Sequence, residues 1–335
     1  LETAELRAIP GLEDYGRLVQ IALNPAADEL ALIASGDVIP SRVLSWSSID
    51  GLRVVRRSST ERVAPAALAR SQALRWPTQD GAFAYGLYYP PTSEAYEATG
   101  TPPIMVLVHG GPTSQRLQGY DAEAQFFATR GWAVLQVNHR GGTGYGKAYM
   151  NKHYLGWGIY DVLDSIDGVR WLAGQGMADA ARAVIMGGSA GGYTVLQSLV
   201  DYPGFYKAAV CLYGGANQFS LVLDTHKFEA RYSDWLLGPL PEAAARYRDR
   251  SPIFQADRIK DAIIVFQGAE DQVVPQNQSD QIVAALRRSG TPHEYIIYEG
   301  EGHGWRKPET IEDFYVKAER FLLQHVIYAD RKSVV

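Results

Sequence analysis

Three residues of this chain have the types and the order that acyl transfer by a serine requires: Ser189, Asp271 and His303. Ser189 stands inside Met186-Gly187-Gly188-Ser189-Ala190-Gly191-Gly192, preceded by the strand-like Arg182-Ala183-Val184-Ile185 and followed by a helix-like stretch over 193–200. Strand, Gly-x-Ser-x-Gly, helix is the pattern of a nucleophile elbow, in which a tight turn carries the serine at positive φ and only tiny neighbours fit. A glycine-rich turn with an incidental serine would give the same seven residues, so the neighbouring chemistry has to decide. A hydroxyl becomes a nucleophile when a base takes its proton and an acid orients that base. Asp271 follows the apolar run Ile263-Ile264-Val265-Phe266-Gln267, and His303 follows Ile296-Ile297-Tyr298 within Gly302-His303-Gly304. Both stand just past the ends of strand-like runs, where open α/β sheets place ligand-binding residues. Glu270, beside Asp271, is the second choice of acid. Of seven histidines, His303 alone joins a strand end, glycine flanks and the right place in the chain order; His293 precedes its strand, His325 falls in the last helix, and His153 and His226 fall in loop or helix.

Acyl transfer also needs donors for the oxyanion. The N–H of Ala190, next to the nucleophile, is one. The other belongs to the loop after the strand at 104–108, where His109-Gly110-Gly111-Pro112 lets backbone approach a reacting carbonyl closely.

These residues need a scaffold, and the chain supplies two patterns. Over 1–62 it reads as all-β: runs at 16–22, 29–34, 42–46 and 52–56 are separated by Asn24-Pro25, Ser35-Gly36-Asp37 and Asp50-Gly51. Four strands at this spacing resemble one propeller blade, which cannot bury both faces alone, and no second copy follows. The pattern changes near Pro65, and 63–335 reads as the second domain. A strand pair at 71–76 and 82–89 turns at Asp80-Gly81; near-continuous apolar strands follow at 104–108, 133–137, 183–186, 208–212, 262–266 and 294–298. Between them lie helical spacings (Ile159, Val162, Leu163, Ile166, Val169; then Ile282, Ala285, Leu286) and a closing helix with Ile311, Phe314, Tyr315, Ala318, Phe321 and Leu322. Buried strands alternating with amphipathic helices predict an α/β domain with a mostly parallel sheet covered on both faces. The one large interruption, 217–257, is rich in aromatics and Arg.

Bulk properties exclude several classes. A composition 46% hydrophobic and 21% charged is that of an ordinary globular protein, and a net charge of −5 gives no basic footprint for nucleic acid and no polybasic membrane patch. The longest aliphatic runs are strand-sized, far below the roughly 18 residues of a membrane helix. Cys211 is the only cysteine, which excludes an internal disulfide and a cysteine-based zinc site, and its apolar setting marks a buried structural thiol. It fits a reducing compartment, and a cytoplasmic location is expected. The chain starts at Leu1 rather than Met, with no secretory apolar region after it, so a signal ahead of Leu1 would not be visible.

The combination His109-Gly110-Gly111-Pro112, Asn138-His139-Arg140-Gly141-Gly142-Thr143-Gly144-Tyr145-Gly146, Trp157-Gly158 with Asp161-Val162, the Gly187 to Gly192 elbow, Ser251-Pro252, Gly268 to Asp271 with Val274-Pro275, and Gly302-His303-Gly304 resembles the C-terminal half of a prolyl oligopeptidase-family serine peptidase, nearest its acylaminoacyl-peptidase and aminopeptidase branch. The resemblance spans about 70–325. It implies an α/β-hydrolase fold, a triad of Ser189, Asp271 and His303, and an oxyanion hole from the backbone of Gly111 and Ala190. It also implies that 1–62 is the last blade of a propeller whose upstream blades are missing here. Some relatives carry an Arg two residues after the catalytic Asp; here that position is Val273. Val274 then resembles a wall of the pocket for the substrate's P1 side chain, with Tyr213, Phe219, Phe228, Tyr232 and Trp235 available as further walls. Such a pocket favours an apolar side chain. Implied is a serine peptidase acting on short peptides, with no cofactor or metal and no nucleic-acid or membrane partner; a homo-oligomer is left open. A carboxylesterase or lipase of the same fold is the alternative, and a non-catalytic binding module the third reading.

Overall fold

The structure, a computed structural model, describes residues 8–224 and 231–329. β1 (Arg17–Asn24), β2 (Glu29–Gly36), β3 (Ile39–Ser47) and β4 (Gly51–Arg57) form one antiparallel sheet in chain order. The β1–β2 turn closes through Ala27 N–H to the Asn24 carbonyl (3.2 Å) and Ala26 N–H to the Asn24 side chain (3.2 Å), the local bonding that makes Asn a turn residue. Leu32, Ala34 and Leu44 are buried, with Leu12, Tyr15, Leu30 and Leu52 packed around them, while Ile21, Leu23 and Val55 are exposed. Phe228, one of the expected pocket walls, lies outside the described residues.

The second sheet is built from β5 (Gln72–Pro77), β6 (Phe83–Tyr89), β7 (Pro103–Val108), β8 (Ala133–Asn138), β9 (Asp179–Gly188), β10 (Ala208–Leu212), β11 (Ala262–Gly268) and β12 (His293–Tyr298). Its order is β12-β11-β10-β9-β7-β8-β6-β5, and the pairs from β12 through β8 are parallel. β7, β8, β10 and β11 are buried throughout, which is why they read as unbroken apolar runs rather than alternating ones. β12 departs from that expectation. It is the sheet's edge and is mostly half-buried, and it begins at His293, which pairs in register with Ile263 instead of preceding the strand.

Helices Tyr160–Gly174, Ala190–Asp201, Gln276–Ser289 and Pro308–Leu322 alternate with these strands. The helical spacings are borne out: Val162, Ile166 and Val169, then Ile282 and Leu286, then Phe314, Ala318 and Phe321 are buried. The excursion carries helices Gln218–Asp224, Tyr232–Leu237 and Ala244–Asp249. Two compact units result. One reaches to Gln72 and includes Tyr88–Thr99 and Leu117–Trp132; the other comprises Ala73–Leu87, Gly100–Arg116 and the chain from Ala133 on. Every residue of the candidate site belongs to the second unit.

Candidate active site

β9 ends at Gly188, and the helix Ala190–Asp201 begins two residues later, so one residue must turn the chain. That residue is Ser189, at φ 58° and ψ −124°. A non-glycine residue at such a backbone angle is strained by about 1–3 kcal/mol and needs its surroundings to hold it. Ser189 N–H donates to the Leu212 carbonyl of β10 (3.0 Å), and its own carbonyl accepts from Tyr193 N–H (2.9 Å). A Cβ on Gly191 would sit 2.3 Å from the Val108 carbonyl oxygen, so only glycine lets the helix start this close to β7.

The expected acid and base, Asp271 and His303, stand on the loops after β11 and β12. Asp271 is buried; its Oδ1 accepts from Val273 N–H (2.8 Å) and Val274 N–H (2.9 Å). Its Oδ2 lies 2.7 Å from His303 Nδ1. With the proton on Nδ1 the ring donates to Asp271, leaving Nε2 to act as a base. Glu270, the second choice, is exposed, and its backbone N–H donates to the Glu301 carbonyl (2.9 Å). The His303 loop is shaped from within by Glu301, whose buried carboxylate accepts from Arg306 N–H (3.1 Å) and Lys307 N–H (3.0 Å). Burial alone would raise the Glu301 carboxyl; the Lys307 and Arg306 N–H groups overcome it and hold it below the usual carboxylate range. Tyr213, at φ 38°, lies with its ring 4.6 Å from the His303 ring.

A cavity opens beside the elbow. Ser189, Ala190, Gly111, Tyr232 and Val274 line it, as does Val273. Tyr213 is not among its lining residues and instead packs against His303 and Trp305. Phe219 and Trp235 pack behind the cavity, against the cluster of Trp157, Tyr193, Leu236 and Tyr247. Sequence reasoning missed the walls Trp157, Tyr193, Leu221 and Leu236. Two signals could have found some of them: Leu236 stands one helical turn after Tyr232, and Trp157 stood in a matching motif without a role. Trp157 and Tyr193 meet at 4.4 Å between ring centroids.

The loop after β7 is held by the loop after β8. Thr143 N–H donates to the Ser114 carbonyl (2.8 Å), and the Asn138 side chain accepts from Arg116 N–H (2.6 Å) and donates to the Arg116 carbonyl (3.0 Å). Gly111, at φ 129°, is in backbone space that side chains rarely occupy. A Cβ on Gly110 would lie 3.4 Å from the Ser189 Cβ, a measure of how near this loop comes to the elbow. Below, Arg140 is buried against Asp164 (2.6 Å) and also reaches Asp80 (2.6 Å). Asp161 is buried and accepts from Gly158 N–H (2.7 Å) and from Thr194 Oγ1 on the helix that follows Ser189 (2.5 Å). Burial raises the Asp161 carboxyl, and these two donors counter it. The buried rings of His109, His139 and His153 follow one another, the first two stacked with centroids 4.2 Å apart and the last two tilted at 44° and 5.2 Å. Cys211 is buried, with its thiol pushed up to about 12 by burial, and is inert at neutral pH. Among the described residues no group of three or more His, Cys, Asp or Glu is arranged to hold a metal ion.

Residues 118–327 match the sequence model of the prolyl oligopeptidase family. The chain belongs to that family. Dipeptidyl aminopeptidase BIII of Pseudoxanthomonas mexicana is 37% identical over 227 residues, 66% of this chain and 33% of that protein. The human acylamino-acid-releasing enzyme is 28% identical over 235 residues, 67% of this chain and 31% of that protein. Among solved structures, a puromycin-hydrolyzing peptidase of Mycobacterium tuberculosis superposes with a TM-score of 0.92 at 34% identity, covering 97% of this chain and 50% of that one. The chain thus spans about a third of the curated relatives it matches and half of the solved one. Its larger sheet is the α/β-hydrolase sheet of the prolyl oligopeptidase family, and its four antiparallel strands agree with a propeller remnant. No helix among the described residues is long and apolar enough to cross a membrane.

Proposed function

We propose that this chain is the catalytic portion of a serine peptidase that releases residues from the N-terminus of short peptides. Membership of the prolyl oligopeptidase family and the names of its relatives support the peptidase class and the exopeptidase reading. The observation that carries the mechanism is Ser189, raised at the elbow, lining the cavity together with Gly111 and Ala190, while Asp271 orients His303 at 2.7 Å. Ser189 Oγ attacks the scissile carbonyl as His303 Nε2 takes its proton. The backbone N–H groups of Gly111 and Ala190 receive the oxyanion. His303 then gives the proton to the leaving amine, and water hydrolyses the acyl-enzyme by the same route. Trp157, Tyr193, Leu236 and Val274 make the cavity a site for an apolar P1 side chain.

The division into a blade at 1–62 and a catalytic domain at 63–335 belongs to the same proposal. So does a cytoplasmic location, which rests on the single buried thiol of Cys211 and is checked by cell fractionation. The test of function is a panel of apolar-P1 peptidyl anilides with free, acetylated and bulky-blocked N-termini, with p-nitrophenyl esters alongside. Anilide turnover that vanishes in Ser189→Ala, and that a bulky block suppresses, is expected. Turnover of esters alone would overturn the peptidase reading, and preference for the bulky-blocked anilide would overturn the exopeptidase one.

A further inference from the structure

One side chain joins the wall of the cavity to the loop that carries Gly111. Tyr232 opens the helix Tyr232–Leu237 and lines the cavity alongside Ser189 and Ala190. Its ring stacks parallel to Trp235, 6.3 Å away, and packs on the cluster around Trp157 and Tyr193. Its hydroxyl is engaged by the loop that carries Gly111, where it accepts from Thr113 N–H (3.1 Å) and donates to Thr113 Oγ1 (2.5 Å). A phenol has one proton to give and lone pairs to receive, so Thr113 is clamped by backbone and side chain together.

Thr113 is two residues past Gly111. The loop leaves β7 at Val108 and bonds within itself, His109 Nδ1 to the Gly110 carbonyl (2.9 Å) and Ser114 N–H to the Pro112 carbonyl (3.1 Å); the loop after β8 holds it only further on, at Ser114 by Thr143 N–H and at Arg116 by Asn138. Between those anchors lies Gly110-Gly111, the most permissive backbone available, and glycine does not hold its own conformation. An oxyanion donor works only within about 2.7–3.1 Å of the developing charge, so Gly111 has to be held by its surroundings. The Tyr232 hydroxyl reaches that stretch from an element that also forms the cavity wall.

We propose that Tyr232 is a positioning residue: through Thr113 its hydroxyl sets the Gly111 N–H where the oxyanion forms, so that the wall packing against the substrate side chain also aligns the oxyanion donor. This rests on the reading of Ser189 as the nucleophile and adds a second task to a residue expected only as a pocket wall.

Tyr232→Phe keeps the ring and removes the clamp. It is expected to keep the wild-type melting temperature and KM for an apolar-P1 anilide and to lose about tenfold in kcat, a modest share of the penalty for losing a donor outright. Affinity for a peptidyl trifluoromethyl ketone, whose adduct with Ser189 carries the oxyanion, should fall by the same factor. Affinity for the product peptide, which has no tetrahedral oxyanion, should stay. Thr113→Val removes one of the two bonds and should lose less, the double variant should match Tyr232→Phe, and Thr113→Ser should restore wild-type behaviour. A kcat within twofold of wild type in Tyr232→Phe, or equal losses for ketone and product, would reduce Tyr232 to a wall and overturn the proposal. If Tyr232→Phe folds poorly, Thr113→Val against Thr113→Ser decides by the same readouts. Ser189→Ala separates the two claims. Undiminished turnover there overturns the nucleophile reading and this inference with it, whereas an inactive Ser189→Ala beside a normal Tyr232→Phe overturns this inference alone.

Discussion

Asp271 and Glu270 carry the same charge on adjacent residues, yet only one has its carboxylate saturated by donors. Asp271 takes two backbone N–H groups on Oδ1 and the imidazole on Oδ2, whereas Glu270 is exposed. Removing the negative charge from Asp271 while keeping its shape frees His303 to adopt the wrong tautomer. Asp271→Asn is therefore expected to lower kcat by about 10³–10⁴-fold in anilide hydrolysis, a loss typical of a disabled triad acid. Glu270→Gln should stay within about twofold; a larger loss there than in Asp271→Asn would reverse the assignment. Residue types and chain order were enough to expect Ser189, Asp271 and His303, with Glu270 as the second choice of acid. Choosing between the two acids on physical grounds required burial and donors, which neither composition nor spacing encodes.

At the scale of elements, the carboxyl ends of β7, β9 and β10 converge on the elbow, leaving no room for one methyl group. Gly191→Ala would place a Cβ 2.3 Å from a carbonyl oxygen of β7, and backbone on both sides cannot yield. A loss of about 3 kcal/mol or more in urea unfolding is expected, together with lost activity; wild-type stability would show that the helix start is not packed as described. The same region holds the His109, His139 and His153 stack. Burial, reinforced by the neighbouring imidazoles, lowers all three, His139 and His153 to about 3. The folded state therefore refuses protons that the unfolded chain, near pKa 6.5, takes up. Stability from these groups is complete above about pH 6.5 and falls as pH drops toward 3, by up to about 1.4 kcal/mol per histidine per pH unit. Urea midpoints should fall between pH 7 and pH 5, and His153→Leu should flatten that dependence; an unchanged dependence in the variant would contradict it. Strand and helix positions could be read because period and burial go together in β7 to β11 and in the helices. The stack could not, because its members sit on three separate segments that only folding brings together. Tyr232 and Val274 were expected as cavity walls, whereas Trp157, Tyr193, Leu221 and Leu236 were missed, being scattered along the chain, with Leu221 and Leu236 on different helices of the excursion.

Over the whole molecule, the two sheets differ in how they bury their apolar residues. The larger is apolar and enclosed along β7, β8, β10 and β11. In the smaller, Leu44 is 0% exposed while Leu23 is 73% exposed, so hydrophobic side chains of one sheet carry very unequal weight. Leu44→Ala is expected to destabilise that unit by about 2–5 kcal/mol, and Leu23→Ala by less than about 0.5 kcal/mol, both read from denaturant midpoints. Equal effects would mean that Leu23 is covered. The four strands were visible in the sequence because turn residues punctuate them. Their one-sided burial was also foreseeable, since a lone blade cannot enclose both faces.

The proposed chemistry depends above all on Ser189 acting as the nucleophile of a triad with His303 and Asp271. The most direct measurement is mass-spectrometric mapping of the residue modified by an organophosphonate, in the wild-type chain and in Ser189→Ala, with anilide turnover followed in parallel. Expected are a single adduct on the peptide carrying Ser189, proportional loss of turnover, and neither label nor turnover in Ser189→Ala. An adduct on another residue, or wild-type turnover in Ser189→Ala, would contradict that role.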